Sequence, residues 1–205
     1  MEVMVVKNVN NNYFKTKSIT AVIGEESDLR ILVDGIQPIK LKPNQKVKSI
    51  IKKNSTLYEK LKLKNNISLK KIKELSESEV KLIKLIKAIK LNPDLIILND
   101  FEKGLSPKSY NAISHFIKQA IINNDIKFIV LSRDPLFINK ISKKVIIMKN
   151  KIIKYQGDLL TAIKQELVNP PEIINFINLA NEKEANLSLT LDHKDLLKDI
   201  YRSVT

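Results

Sequence analysis

The spacing of apolar residues divides the chain into a strand-rich first third and a longer region in which strands and helices alternate. Apolar, β-branched runs in the first third predict four strands, over residues 2–9, 18–24, 29–34 and 47–52. Three asparagines at positions 10–12 indicate a turn between the first two strands, and Gly35 ends the third. Residues 55–73 have a short, basic, helix-like pattern.

Residues 76–90 give the clearest helix of the chain. Apolar residues recur there at helical spacing among lysines. Ser76 is a favourable N-cap residue, and Glu79, three residues later, completes a capping box. Pro93 follows closely and predicts the end of this helix.

Two continuous apolar runs follow, at residues 95–98 and 127–131. Such runs are typical of strands buried on both faces of a parallel sheet. We therefore expect residues 95–98 and 128–131 to form adjacent, parallel and fully buried strands. The elements predicted around them are helices at 107–123 and 134–141 and a hairpin of strands at 144–148 and 151–155. This alternation predicts a parallel α/β core.

A change of pattern at Gly157 predicts a boundary. Three helical stretches follow it, at residues 158–168, 171–184 and 192–204. We expect one domain over residues 1–157 and a helical C-terminal extension over residues 158–205. Residues 164–205 carry seven acidic and five basic side chains, so this extension is mildly acidic.

Positive charge is concentrated in one segment. The chain has a net charge of +14, and residues 38–73 account for +11 of it, with Glu59 as their one acid. Their twelve lysines are Lys40, Lys42, Lys46, Lys48, Lys52, Lys53, Lys60, Lys62, Lys64, Lys70, Lys71 and Lys73. Charge of this density can attract phosphates or anionic lipid. The alternative is a solvated face in a chain that uses lysine throughout and has three arginines in all.

Composition excludes several kinds of site. The chain has no cysteine, which excludes disulfides and Cys-ligated zinc. Two histidines argue against a His-rich metal site. No apolar run approaches the roughly 20 residues of a membrane span, and the first residues do not have the order of a signal peptide. We expect a cytoplasmic protein, with membrane association through its surface or a partner.

Four short motifs carry a resemblance to a known family. They are Leu75-Ser76-Glu77-Ser78-Glu79 before the clearest helix, Asn99-Asp100 after the first apolar strand, Gly104-Leu105-Ser106-Pro107, and Ser132-Arg133-Asp134 after the second strand. In order and spacing, residues 1–157, and above all 75–157, resemble an ATP-binding subunit of an ABC transporter. That family has LSGGQ, Asp-Glu, Gly-Leu-Asp-Pro and a switch histidine at these places. The resemblance implies a truncated P-loop NTPase-like core with a mostly parallel central sheet.

The positions that would contact nucleotide differ from the family at each motif. At the signature, Glu77 and Glu79 place negative charge where an opposing γ-phosphate would bind. Asn99 lacks the charge that offsets a hard divalent cation. Asp100 is one methylene shorter than the family's glutamate, and Arg133 cannot titrate near neutrality as histidine does.

The phosphate loop is the largest difference. Such a loop needs glycines for its backbone, a lysine for the β- and γ-phosphates and a Ser or Thr for Mg²⁺. Gly24 ends the strand that would lead into it, but Glu25-Glu26-Ser27-Asp28 follows, and no glycine of the chain precedes a lysine. The resemblance implies that the loop, the helix behind it and most of the family's helical subdomain are missing.

The resemblance implies a non-hydrolysing subunit that acts as a structural or regulatory partner. Cassettes of this family pair head to tail, so we expect an active ATP-binding subunit, a transmembrane subunit, or both, as partners. No catalytic residue, metal or cofactor is expected, and ATP and Mg²⁺ would bind only if the degenerate site retains affinity. Two alternatives stay open. One is a basic module for nucleic acid or an anionic surface, without sequence-specific recognition because Tyr58 is the one aromatic residue of the lysine-rich segment. The other is a weak ATPase that uses Asp100 and Arg133.

Overall fold

A computed structural model describes residues 2–6, 19–51 and 65–203 of the chain. Within these ranges the strands are β1 Glu2–Val6, β2 Ile19–Ile23, β3 Leu95–Asn99, β4 Lys127–Leu131, β5 Lys144–Lys149 and β6 Ile152–Asp158. The helices are α1 Glu26–Arg30, α2 Val47–Ile50, α3 Glu77–Lys90, α4 Pro107–Asn124, α5 Pro135–Ile141, α6 Leu159–Lys164, α7 Glu172–Asn181 and α8 His193–Ser203. Short 3₁₀ helices lie at Ile31–Val33, Asn65–Leu69 and Ile72–Glu74.

The strands form one sheet in the order β1–β3–β4–β2–β5–β6. The four central strands are parallel to one another, and the edge strands β1 and β6 pair antiparallel to β3 and β5. The prediction that β3 and β4 are parallel neighbours is confirmed, with Leu98 opposite Val130. The first two strands of the chain are not neighbours, and the predicted turn at residues 10–12 lies outside the described residues.

Both faces of the sheet are apolar, but they are covered unequally. Ile96, Leu98 and Val130 face the larger core with α3 and α4, whereas Ile97 faces a smaller cluster. In the described residues, the cover of this second face comes from Leu29, Val33 and Ile36. Because this cover is thin, Ile129 is only half-buried, so the expectation of full burial was wrong at that position.

Two predicted strands were wrong. Residues 29–34 lie in α1 and the 3₁₀ helix after it, and residues 47–50 form α2. The Glu25 carbonyl oxygen accepts hydrogen bonds from the amides of Asp28 and Leu29, both at 3.0 Å, and acids in the first turn favour a helix start. In α2 the buried pair is Val47 and Ile50, a spacing that fits a helix rather than a strand. In both places tertiary packing outweighs β-branched propensity.

The other predicted elements are present, with ends that differ from the prediction by up to four residues, and residues 7–9 of the first predicted strand lie outside the described residues. In α3 the amide of Glu79 donates to Ser76 Oγ at 3.3 Å, and the Ser76 amide donates to Glu79 Oε2 at 2.8 Å, which is the predicted capping box. Of the helix-like stretch at 55–73, residues 65–69 and 72–74 are 3₁₀ helices, and residues 52–64 lie outside the described residues.

The C-terminal helices pack onto the same core as the sheet. Leu159, Ala162 and Ile177 belong to the larger apolar cluster. Lys140 Nζ of α5 lies 2.8 Å from Asp192 Oδ2, just before α8. The division into residues 1–157 and 158–205 stays a prediction.

Candidate functional site at the carboxyl edge of the sheet

The motif residues meet at the carboxyl ends of the parallel strands, where open α/β sheets bind ligands. The Asp100 amide donates to the Leu131 carbonyl oxygen at 3.0 Å, which joins the ends of β3 and β4. The Ser132 amide donates to the Val22 carbonyl oxygen at 3.1 Å, which joins β4 to β2. Asn99, Asp100, Arg133 and Gly24 are therefore brought to one edge of the sheet.

The end of β2 is closed by α1. The first helical residue is Glu26, two residues after Gly24, and Asp28 is 4% exposed. Asp28 Oδ1 accepts a hydrogen bond from the Lys151 amide at 2.8 Å, in the β5–β6 turn. A Cβ on Gly24 would lie 3.1 Å from the Met148 carbonyl oxygen and 3.3 Å from Leu29 Cδ2, so chain atoms already fill this place.

Asp100, at the position of the family's catalytic glutamate, is held within its own loop. Its φ of 49° is left-handed, a region that aspartate tolerates better than most residues. Its carboxylate Oδ2 lies 2.5 Å from Lys103 Nζ, and the side chain is 14% exposed. Asn99 ends β3 just before it and is half-buried. The carboxylate is therefore already paired with a cation of this chain.

A polar network lies behind Asp100. The Ser132 hydroxyl is hydrogen-bonded to Glu102, and Ser132 Oγ accepts from the Asp134 amide at 3.0 Å. The Tyr110 hydroxyl donates to Asp134 Oδ2 at 2.9 Å. Asp134 Oδ1 in turn caps α5 by accepting the amide of Leu136 at 2.8 Å. These contacts tie α4, α5 and the loops after β3 and β4 together.

Glu102 is the unusual member of this network. It is 5% exposed, and its Oε2 atom has no hydrogen-bond partner among the described residues. Burial raises the pKa of Glu102, and the nearby carboxylates of Asp100 and Asp134 act in the same direction, against the Ser132 hydrogen bond. A buried carboxyl oxygen without a donor fits a neutral acid better than an anion.

The signature segment lies next to this loop through Lys81. Although the spacing of α3 placed Lys81 among its polar residues, its side chain is buried, and its Nζ donates to the Lys103 carbonyl oxygen. Nζ also lies 3.8 Å from Glu77 Oε1. Burial lowers the pKa of Lys81, while the carboxylates of Glu77, Glu102 and Asp100 oppose that shift. Lys81 thereby fastens the start of α3 to the loop at 100–106.

The remaining candidate residues have structural partners or point to solvent. Ser76 Oγ accepts the Glu79 amide and lies 3.1 Å from Ser78 Oγ, so the signature serine is engaged in the cap. Arg133 is exposed at the end of β4. Among residues 2–6, 19–51 and 65–203, no three His, Cys, Asp or Glu side chains are grouped so that they could hold a metal ion.

Sequence reasoning missed Asp28, Lys81, Glu102 and Tyr110. In the sequence, Asp28 is one acid of the segment after Gly24, and nothing in the pattern indicates that its side chain is buried. The contacts of the others join positions 22 to 30 residues apart, such as Tyr110 with Asp134 and Lys81 with Lys103. A polar residue inside an otherwise apolar helix face, such as Lys81 before Leu82 and Ile83, was the one signal available.

The fold is that of an ABC-type P-loop NTPase in truncated form. Solved ATP-binding cassettes share it. A nucleotide-free cassette from an ABC transporter has a TM-score of 0.56 at 15% identity and covers 85% of this chain and 98% of its own. The cbiO1 subunit of the cbiONQ ABC transporter complex, from Clostridium perfringens, has a TM-score of 0.57 at 14% identity, with 86% and 94% covered. A dimeric bacterial cassette has 0.57 at 12%, with 70% and 86% covered. At such identities these likenesses concern the fold alone.

Sequence comparison adds a more specific likeness. Over 97 residues the chain is 29% identical to the zinc import ATP-binding proteins ZnuC of Ehrlichia ruminantium, strains Gardel and Welgevonden. The match spans 47% of this chain but only 40% of those relatives. No protein-family model matches the chain. By sequence in part, and by fold over most of its length, the chain resembles ABC-transporter ATP-binding subunits. No helix in its described residues is long and apolar enough to cross a membrane.

Proposed function

We propose that this chain is a non-hydrolysing, ATP-binding-cassette-like subunit that acts as a structural or regulatory partner in an ABC transporter or a related ATPase complex. The observation that carries the proposal is the closed end of β2. Where a phosphate loop would present backbone amides, a five-residue helix follows within two residues, and its buried Asp28 is bonded to the β5–β6 turn. Glu25 and Glu26 add negative charge beside it.

The residues present do not fit Mg-ATP. Asn99 offers an amide where the metal-side carboxylate would stand, and Mg²⁺ is normally held through carboxylates and phosphates. Asp100 Oδ2 lies 2.5 Å from Lys103 Nζ, so this carboxylate is already engaged by a cation of the same chain. The signature serine is engaged in its helix cap. These contacts support a site whose polar groups are satisfied inside the chain.

The proposed partners are a hydrolysing ATP-binding subunit, a transmembrane subunit, or both. The loop at 100–106 and the start of α3 keep their mutual position through Lys81, so the face that cassettes use for pairing has a defined shape here. We place the chain in the cytoplasm or at the inner face of the membrane. A subunit of this kind would support the partner's site without supplying phosphate contacts.

The test is titration calorimetry of the whole chain with Mg-ATP, together with a phosphate-release assay. We expect a Kd weaker than about 1 mM, which corresponds to less than about 4 kcal/mol of binding free energy, and no turnover. The control is Asp100→Ala. Micromolar affinity, or turnover that is lost in Asp100→Ala, would overturn the proposal in favour of the weak ATPase. The regulatory role would be contradicted if the chain did not change the ATPase rate of any intact cassette encoded beside its gene.

One specific observation favours the second candidate function, a module for anionic surfaces. Lysines from two separate segments of residues 38–73 are brought side by side in the fold.

A further inference from the structure

Two lysine-bearing segments form one surface on the side of the molecule next to α3. Lys46 and Lys71 form a bridge, and the Val47 amide donates to the Lys70 carbonyl oxygen at 2.9 Å. The Lys73 amide donates to the Pro43 carbonyl oxygen at 3.0 Å. We call the lysines brought together in this way the lysine surface, which consists of Lys40, Lys42, Lys46, Lys48, Lys70, Lys71 and Lys73.

The inner side of these segments is fixed to the core, which directs the lysines outward. Val47, Ile51 and Ile67 are fully buried. From α3, Lys87 Nζ donates to the Lys40 carbonyl oxygen at 2.8 Å, and Lys90 Nζ donates to the Ile50 carbonyl oxygen at 2.9 Å. The lysine surface is thus a rigid part of the fold, with five of its seven side chains exposed and Lys70 and Lys71 half-buried.

The charge of this surface is not neutralised by the described residues. The ion pairs among the described residues involve Lys81, Lys103, Lys140 and Lys198, and none of the seven lysines of the surface. The acid next to them in sequence is Glu74, whose Oε2 accepts the Lys71 amide at 2.9 Å. Seven cations on one fixed surface create a positive field that reaches about one Debye length, ~10 Å at 0.1 M salt.

An exposed apolar residue stands among these lysines. Leu69 is 72% exposed, the largest fraction among the exposed large apolar residues of the described ranges, and it directly precedes Lys70 and Lys71. Neither the described part of residues 38–73 nor the lysine surface has an arginine or an aromatic side chain. Base stacking and bidentate phosphate contacts, which strengthen nucleic-acid binding, are therefore not available there.

We propose that the lysine surface binds the headgroups of an anionic phospholipid bilayer, with Leu69 entering the boundary between headgroups and acyl chains. Clustered lysines are attracted to an anionic leaflet without needing fixed geometry. An apolar side chain beside them can also enter the bilayer, a contact that a nucleic acid does not offer. This inference does not depend on the proposed loss of ATP hydrolysis, because neither Leu69 nor any residue of the lysine surface belongs to the motifs on which that proposal rests.

The test is sedimentation of the full chain with phosphatidylcholine vesicles, with and without phosphatidylglycerol, between about 0.1 M and 1 M NaCl, over which the Debye length falls from about 10 to about 3 Å. We expect binding only to the anionic vesicles, lost at the higher salt. Binding to neither kind of vesicle at the lower salt would overturn the proposal.

Two matched triple variants locate the contact. Lys46→Glu/Lys48→Glu/Lys73→Glu reverses three exposed members of the lysine surface. Lys149→Glu/Lys154→Glu/Lys164→Glu makes the same change of charge at exposed lysines elsewhere. We expect the first to weaken vesicle binding at least about tenfold and the second less than about threefold, because attraction falls off within a Debye length of the membrane. Equal losses would show that binding depends on net charge, and they would contradict a contact through the lysine surface.

Leu69→Ser separates a membrane from a nucleic acid. We expect it to weaken binding to anionic vesicles while leaving any salt-sensitive binding to a mixed-sequence DNA oligonucleotide unchanged. Unchanged vesicle binding would contradict the role of Leu69, and DNA binding tighter than vesicle binding at the same salt would replace the membrane by a nucleic acid. Circular dichroism melts of all variants confirm that each one tested is folded.

Discussion

The loop after β2 and the loops after β3 and β4 lie at the same edge of the sheet, but they are built differently. After β2, five helical residues close the strand end, with Asp28 bonded to the β5–β6 turn. After β3 and β4, the loops carry the residues that resemble cassette motifs, and their polar groups have partners within the chain. We call these two strands, their loops and the helices next to them the retained region, and the end of β2 with α1 the closed region.

The two regions differ in what they pack against. The β3 and β4 loops connect strands to helices that pack on the larger core, so burial holds their geometry. A phosphate loop is held open mainly for its ligand. We infer that the core does not require an open loop at the end of β2, where the short helix α1 packs through Leu29.

The largest expected effect tests the retained region. Ile97→Lys places a charge on a strand residue that is 2% exposed and belongs to the smaller apolar cluster. We expect a loss on the order of 4 kcal/mol in unfolding free energy, or failure to fold, because an unpaired buried ion costs several kcal/mol. Denaturant unfolding monitored by circular dichroism gives the value.

The matched control is Ile129→Lys, on the adjacent strand and directly opposite Ile97. Since Ile129 is half-buried, a lysine there can extend its ammonium group to water, and we expect a loss of no more than about 2 kcal/mol. Equal losses at the two positions would contradict the thinner cover over Ile129 than over Ile97. No loss at Ile97 would contradict the assignment of β3 as a buried strand.

The sequence predicted this retained region well and the closed region poorly, for a physical reason. The strands β3 and β4 are continuous apolar runs, and α3 carries its capping box in four consecutive residues, so local chemistry determines them. The segments predicted as strands at 29–34 and 47–52 are short and contain two or three β-branched residues each, and their form depends on what Leu29 and Val47 pack against. The candidate residues of the motifs follow these strands directly in sequence, but their partners within the chain depend on tertiary contacts.

A smaller effect is expected in the closed region. Asp28→Ala removes the acceptor for the Lys151 amide at 2.8 Å. That amide lies in a turn where Asn150 and Lys151 have φ values of 54° and 63°, so the bond holds a backbone shape that these residues adopt at a cost. We expect a loss of about 1 to 2 kcal/mol in unfolding free energy.

Glu26→Ala is the control for Asp28→Ala, because it removes an exposed acid from the same short helix. Its expected loss is within about 0.5 kcal/mol. If both variants lost the same amount, the helix start rather than the buried contact would account for the effect, and the strand end would not be closed by Asp28.

The smallest expected effect concerns the electrostatics of the retained loops, through Glu102→Gln. Burial raises the folded-state pKa of Glu102 above its unfolded value. Such a group stabilises the fold below the unfolded pKa, and this contribution is lost as pH rises through the folded pKa.

Glutamine stays neutral at every pH and keeps nearly the same shape. The unfolding free energy of Glu102→Gln, relative to the unmodified chain, should therefore increase from about pH 4.5 to pH 7.5. Urea unfolding at the two pH values measures it. A decrease with pH for Glu102→Gln would mean that the carboxylate form is the stabilised one. The Oε2 atom would then have a donor in solution, and the retained loops would hold an anion next to Asp100 and Asp134 rather than a neutral acid.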